Sequence, residues 1–106
     1  MYFARYDDLA RSYLEEAIFP ERPNPHALRE FNDGIETWDM RDELPLIECP
    51  TLVITGERDF ITGPVCSQEI AAGIAGAELV IVPDCGHFTF VECPQRFRDE
   101  VTRFLT

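Results

Sequence analysis

One hundred and six residues with 45% hydrophobic content suit one small domain or a piece of a larger one, and are too apolar for a disordered chain. A formal charge of −11 argues against a nucleic-acid binder, because phosphate backbones are held by basic surfaces. No run reaches the roughly 18 apolar residues of a membrane span, and Tyr2-Phe3-Ala4-Arg5-Tyr6-Asp7-Asp8 turns acidic where a signal peptide needs an apolar core, so a cytoplasmic chain without a membrane partner is expected.

The acidity has two readings. It can draw in a cationic substrate such as a free amine, or it is a solvated surface that aids solubility, which is the commoner case. All nine basic residues are arginine, and they form no cluster. The four cysteines, Cys49, Cys66, Cys85 and Cys93, make no CxxC couple, so the pattern implies neither a zinc site nor another metal centre. Cys85 precedes His87 by two residues, but loop neighbours this close rarely face one another. A small, reduced, semi-buried thiol is the simpler expectation.

Taken in chain order, Tyr2, Phe3, Tyr6, Leu9, Ala10, Tyr13, Leu14, Ala17 and Ile18 form a 3.6-residue stripe and predict an amphipathic helix. Pro20, Pro23 and Pro25 end it. Asn24 is placed to cap a second helix, with Pro25 in its first turn, Leu28 and Phe31 as its buried face and Gly34 as its stop. His26 falls in that first turn and is expected to be exposed and inert. From Glu36 to Cys49 Pro45 interrupts any long helix, leaving an irregular or single-turn connector.

Pro50-Thr51-Leu52-Val53-Ile54-Thr55-Gly56 is a β-branched apolar run closed by glycine, the pattern of a strand buried on both faces of a parallel sheet. Asp59 follows three residues after the glycine. Val65, Ile70, Ala71 and Ile74 lie at near-helical spacing, with Ser67 expected at the helix N-cap or first turn. A second strand, Leu79-Val80-Ile81-Val82, is stopped by Pro83-Asp84-Cys85-Gly86, and His87 comes next. In a right-handed strand–helix–strand crossover, Asp59 and His87 both emerge beyond the carboxyl ends of adjacent strands. Glu57 and Asp84 are rival acids with less reach. Phe88 to Pro94 is expected to be a loop, and Phe97, Val101, Phe104 and Leu105 share one face of a last helix opened by Pro94.

These residues together resemble the C-terminal part of an α/β-hydrolase-fold enzyme. The likeness rests on Leu46-Ile47-Glu48-Cys49-Pro50 through Gly56-Glu57-Arg58-Asp59, on Ala77-Glu78-Leu79 through Gly86-His87-Phe88, and on Glu92, Pro94 and Phe97. The wording Asp59-Phe60-Ile61-Thr62-Gly63-Pro64 is similar to proline iminopeptidase-like members, although other branches of the fold end in much the same way. The resemblance implies an α/β fold: two parallel strands with flanking helices over residues 49–106, preceded by cap-derived helices over residues 1–48. It also implies Asp59 and His87 as the acid and histidine of a catalytic triad. Gly86 would let the backbone turn sharply at the histidine, and Glu92 would brace its loop. Phe60 and Phe88, with Phe90, are candidates for a substrate wall, core packing being the equal alternative. No cofactor is implied. If a peptidase is meant, Asp7, Asp8, Glu15 and Glu16 are available to receive an amino group.

One departure is decisive. There is no Gly-x-Ser-x-Gly elbow, and the only serines are Ser12 and Ser67. The resemblance therefore implies part of a serine hydrolase of peptidase or esterase type, inactive alone and acting on a small-molecule or peptide substrate once the nucleophile is supplied. A non-catalytic interaction module is the alternative. Two strands are too few for a stable sheet, so the open strand edge is expected to meet a missing N-terminal hydrolase portion or a second copy.

Overall fold

The computed structural model describes residues 24–106. The helix expected over Tyr2–Ile18 with its four carboxylates, Ser12, and the side chain of Leu28 lie outside the described residues.

Helix α1 runs Pro25–Thr37, and Asn24 caps it by accepting from His26 N and Ala27 N at 2.9 and 3.5 Å. Gly34 does not stop it. Nothing lies within 4 Å of where a Cβ at Gly34 would sit, and no proline follows to deny the next turn its hydrogen bonds. The helix ends where Trp38 turns extended and returns its N–H to Ile35 O at 3.2 Å. Phe31, expected in the core, is exposed, as are Ile35 and Trp38. His26 is exposed beside Glu30 at 3.4 Å.

The connector condenses into one short 3-10 helix, Arg41–Leu46, with Pro45 inside it. Asp39 steadies its start by taking the Arg41 backbone N–H at 3.0 Å and the guanidinium at 2.6 Å. Leu44 is the segment's buried anchor, and it lies where a side chain on Gly73 would have to go.

Then come β1 (Leu52–Gly56), α2 (Gly63–Gly73) and β2 (Glu78–Val82), with β1 and β2 parallel and Leu52 opposite Glu78 through Gly56 opposite Val82. The architecture is α/β. Among the described residues the buried apolar side chains are Leu44, Ile74, Val82 and Cys85, and Thr55 is buried as well. Leu52, Val53 and Ile54, expected to be buried on both faces, are only half-buried, because among the described residues β1 has β2 as its one neighbour. In the crossover helix half of the near-helical stripe is outside. Val65 and Ile70 are exposed, and Ile74, just past the helix end, is the member that is buried.

One further correction follows β2. Phe88–Pro94 is not a plain loop, because Thr89–Glu92 forms a one-turn helix, α3, and Cys93 N bonds Thr89 O at 2.9 Å. Helix α4, Pro94–Leu105, then closes the chain, with Pro94 in its first turn. Arg103 ties it to β2 through Glu78 at 2.9 Å. Among the described residues no helix is long and apolar enough to cross a membrane.

Burial, not residue type, should set the cost of truncation along the crossover. Ile74 is 4% exposed and Ile70 41%, so Ile74→Ala is expected to lose about 2–4 kcal/mol in urea unfolding and Ile70→Ala less than about 1 kcal/mol.

Candidate active site

Both strands end at the same level, and the two turns beyond them interlock. Glu57 N donates to Val82 O at 2.9 Å and Arg58 N to Cys85 O at 2.8 Å. The left-handed residue that reverses the chain after β2 is Asp84, at φ 57°. Gly86, expected to let the backbone turn sharply at the histidine, is not among the residues with positive φ. A short polar side chain tolerates this conformation best after glycine. Asp84 is also held by Arg58 at 3.0 Å, an exposed pair of small energetic weight.

Asp59 is buried, at 7% exposure. Its Oδ1 accepts from Ile61 N at 2.9 Å and Thr62 N at 3.1 Å, and its Oδ2 accepts the Thr62 hydroxyl at 2.9 Å. Backbone N–H groups two and three residues ahead are what an aspartate takes at a helix entrance or an Asx turn. Asp59 thus folds its own loop. Thr62, at the N-cap position of α2, makes no side-chain cap and serves the carboxylate instead. Ser67, expected near the cap, is the fifth residue of the helix.

His87 meets the same carboxylate. Its Nδ1 lies 3.1 Å from both Oδ1 and Oδ2. Burial pushes the Asp59 carboxyl upward, but the hydrogen bonds from Ile61, Thr62 and His87 outweigh it and hold the group at about 2. An ionised carboxylate only accepts, so Nδ1 must carry the proton, and the tautomer is fixed. Glu92 Oε2 accepts Gly86 N at 2.8 Å and so grips the turn that presents the imidazole. Phe88 packs edge-on against the His87 ring at 5.0 Å, Phe90 against Phe88 at 5.9 Å, and Phe97 against Phe90 at 6.1 Å. Phe88 is half-buried in this ladder, while Phe60 is 72% exposed and so not core.

Cys85 is fully buried. Burial first, then the neighbouring Cys93 and Glu92, push its thiol up to about 12. It stays protonated at neutral pH and is no partner for an imidazolium. Among the described residues no three His, Cys, Asp or Glu side chains gather as a metal site would require. Two concavities occur away from the pair. One of about 370 Å³ lies between Trp38, Leu44 and Ile70. The other, about 380 Å³, lies between Leu52 and Ile54 of β1 and Phe97, Val101, Phe104 and Leu105 of α4.

A family model described as the alpha/beta hydrolase family matches residues 2–100. The chain belongs to that family. It is 33% identical over 82 residues to a pimeloyl-[acyl-carrier protein] methyl ester esterase of Nitrosospira multiformis, covering 77% of this chain and 31% of that protein. It is 35% identical over 71 residues to a proline iminopeptidase of Thermoplasma volcanium, covering 67% and 22% respectively. Among solved structures, a hydrolase from Pseudomonas aeruginosa PA01 superposes with a TM-score of 0.78 at 36% identity, over 95% of this chain and 37% of that one. The chain spans about a third of the length of the first curated relatives it matches.

Sequence reasoning did not single out Thr62, nor the interlock of Arg58 N with Cys85 O. A signal for the first was present: an aspartate in a turn accepts from groups two and three residues on, and a threonine stands at the third. The second is made by backbone and leaves no side-chain trace.

The Asp59 bonds carry a pH signature. Its pKa falls from 3.8 in a free chain to about 2 in the fold, so the stabilisation is full above about pH 4 and is lost as pH drops through about 2, a span worth roughly 2 kcal/mol. Urea unfolding between these pH values should show that loss in the wild type and not in Asp59→Asn. Equal pH slopes would mean the carboxylate is not held in this way.

Proposed function

We propose that this chain carries the acid and histidine of a serine hydrolase of esterase type, and that the nucleophile comes from outside the described residues. The observation that carries this is the placement of His87 Nδ1 at 3.1 Å from both oxygens of a carboxylate held at about 2. An imidazole fixed this way has Nε2 as its basic nitrogen. It would take the proton of an attacking serine, become an imidazolium stabilised by Asp59, and return the proton to the departing alcohol. Water would then release the acyl group by the same route.

The serine is proposed to come from an N-terminal hydrolase portion. Ser67, the one serine among the described residues, lies inside α2 and not at a strand-to-helix elbow. The family relatives are about three times as long, which supports a missing portion of that kind. Its docking place would be the open edge of β1 and the apolar groove of Leu52, Ile54, Phe97 and Val101. Residues 1–48 would be the cap-derived part and residues 49–106 the core. Likeness to a methyl ester esterase favours an ester substrate, with Phe88 at its wall. Likeness to a proline iminopeptidase supports an N-terminal proline peptide as the second reading.

The test is complementation. The chain should be inert alone and self-associated in sedimentation. Mixing it with a segment bearing Gly-x-Ser-x-Gly should give a 1:1 complex that hydrolyses p-nitrophenyl esters faster than proline p-nitroanilide. His87→Ala should cost that complex at least about 10³-fold in kcat. Binding without hydrolysis would favour an interaction module, and activity that survives His87→Ala would refute the assigned role.

A further inference from the structure

The spacing of Asp59 and His87 is set where two turns touch, and that contact is backbone against backbone. Gly56 ends β1. A Cβ built there would stand 2.2 Å from Gly86 O, 2.3 Å from Cys85 O and 2.7 Å from Cys85 C. None of these atoms belongs to a flexible side chain that can swing aside. Gly56 is not among the residues with positive φ, so its conformation is open to any residue and the need for glycine here is steric. Gly73 differs: a Cβ there would meet only the Leu44 side chain, with Cδ1 at 2.7 Å, which a rotamer change can move, and Cβ at 3.0 Å, which is tight but not a backbone clash.

The turn pressed on Gly56 is held on its other sides as well. Cys85 O takes Arg58 N at 2.8 Å, Gly86 N gives to Glu92 at 2.8 Å, and Cys85 and Gly86 are buried. His87 is the next residue. Relief of a 2.2 Å contact moves the turn by about 1 Å, enough to take a 3.1 Å hydrogen bond past the limit of a useful one.

We propose that Gly56 is a positioning residue: by leaving the end of β1 bare, it lets the Cys85–Gly86 backbone seat on the strand and brings the His87 imidazole onto Asp59. This rests on the pairing of Asp59 with His87 described above. It adds a determinant lying in neither side chain.

The experiment uses the full 106-residue chain, labelled with ¹⁵N, and follows the His87 Nδ1–H resonance. In the wild type that proton should be shifted downfield and protected from exchange, and Asp59→Asn should abolish it. Gly56→Ala should keep the fold, seen in the far-UV spectrum and dispersed Ile74 and Val82 methyl signals, while losing the His87 signal. Gly73→Ala, with a comparable but side-chain clash, should keep it. As a second variant, Glu92→Ala releases the same turn without touching β1, and should broaden the signal in a folded chain. A Gly56→Ala chain that retains the wild-type resonance overturns the proposal. So does one that does not fold, since Gly56 would then determine the sheet and not the pair. A sharp, unmoved signal in Glu92→Ala also counts against it, because turn position would not govern the contact. A wild-type chain without the resonance would instead remove the pair itself, and with it the functional reading.

Discussion

Five parallel backbone pairings, from Leu52 opposite Glu78 to Gly56 opposite Val82, put the carboxyl ends of two strands side by side. Everything chemically interesting follows from that register. A slip of one residue would turn the strand faces over and offset the two turns by about 3.3 Å, more than a hydrogen bond can span. The register is itself locked by the turns, because Glu57 N reaches Val82 O and Arg58 N reaches Cys85 O just past the last pairing. Sheet and site are therefore one cooperative structure.

The electrostatics of the site obey a simple rule: a buried charge must be fully bonded. Asp59 receives two backbone N–H groups, one hydroxyl and one imidazole, which outweigh its desolvation and keep it ionised. Three of the four donors come from the acid's own loop and stand whether or not His87 is charged. The carboxylate is thus ready before the imidazole needs it, a form of pre-organisation that a single ion pair would not provide. Cys85 shows the opposite case. It is buried without compensating donors of that strength, so its thiol is driven up to about 12 and stays neutral.

What the core lacks is as informative as what it holds. α2 and α4 contribute no fully buried residue, and the apolar stripe of α4 faces Leu52 and Ile54 across a groove. The exposure of Phe31, Ile35 and Trp38 on and just beyond α1 has the same character. These are apolar residues left at the surface among the described residues.

The sequence by itself determined the elements whose causes are local. Asn24-Pro25 starts a helix because a side-chain oxygen and a fixed φ act within one turn. The β-branched runs before Gly56 and Pro83 become strands because branching favours extended backbone. Asp59 and His87 stood out because each follows such a run. Where the expectation failed on burial, the deciding partner was distant. Gly34 did not end its helix, since nothing nearby took over the hydrogen bonds. Val65 and Ile70 fit a helical stripe but stay exposed, Ile70 at the rim of the concavity beside Trp38 and Leu44. The left-handed turn at Asp84 and the Thr62 hydroxyl on the Asp59 carboxylate were not foreseen. Only the tertiary structure decided that His87 reaches Asp59, because that distance depends on strand register and on a bare Cα at Gly56 meeting carbonyls some thirty residues away. Neither leaves a periodic trace in the order of side chains.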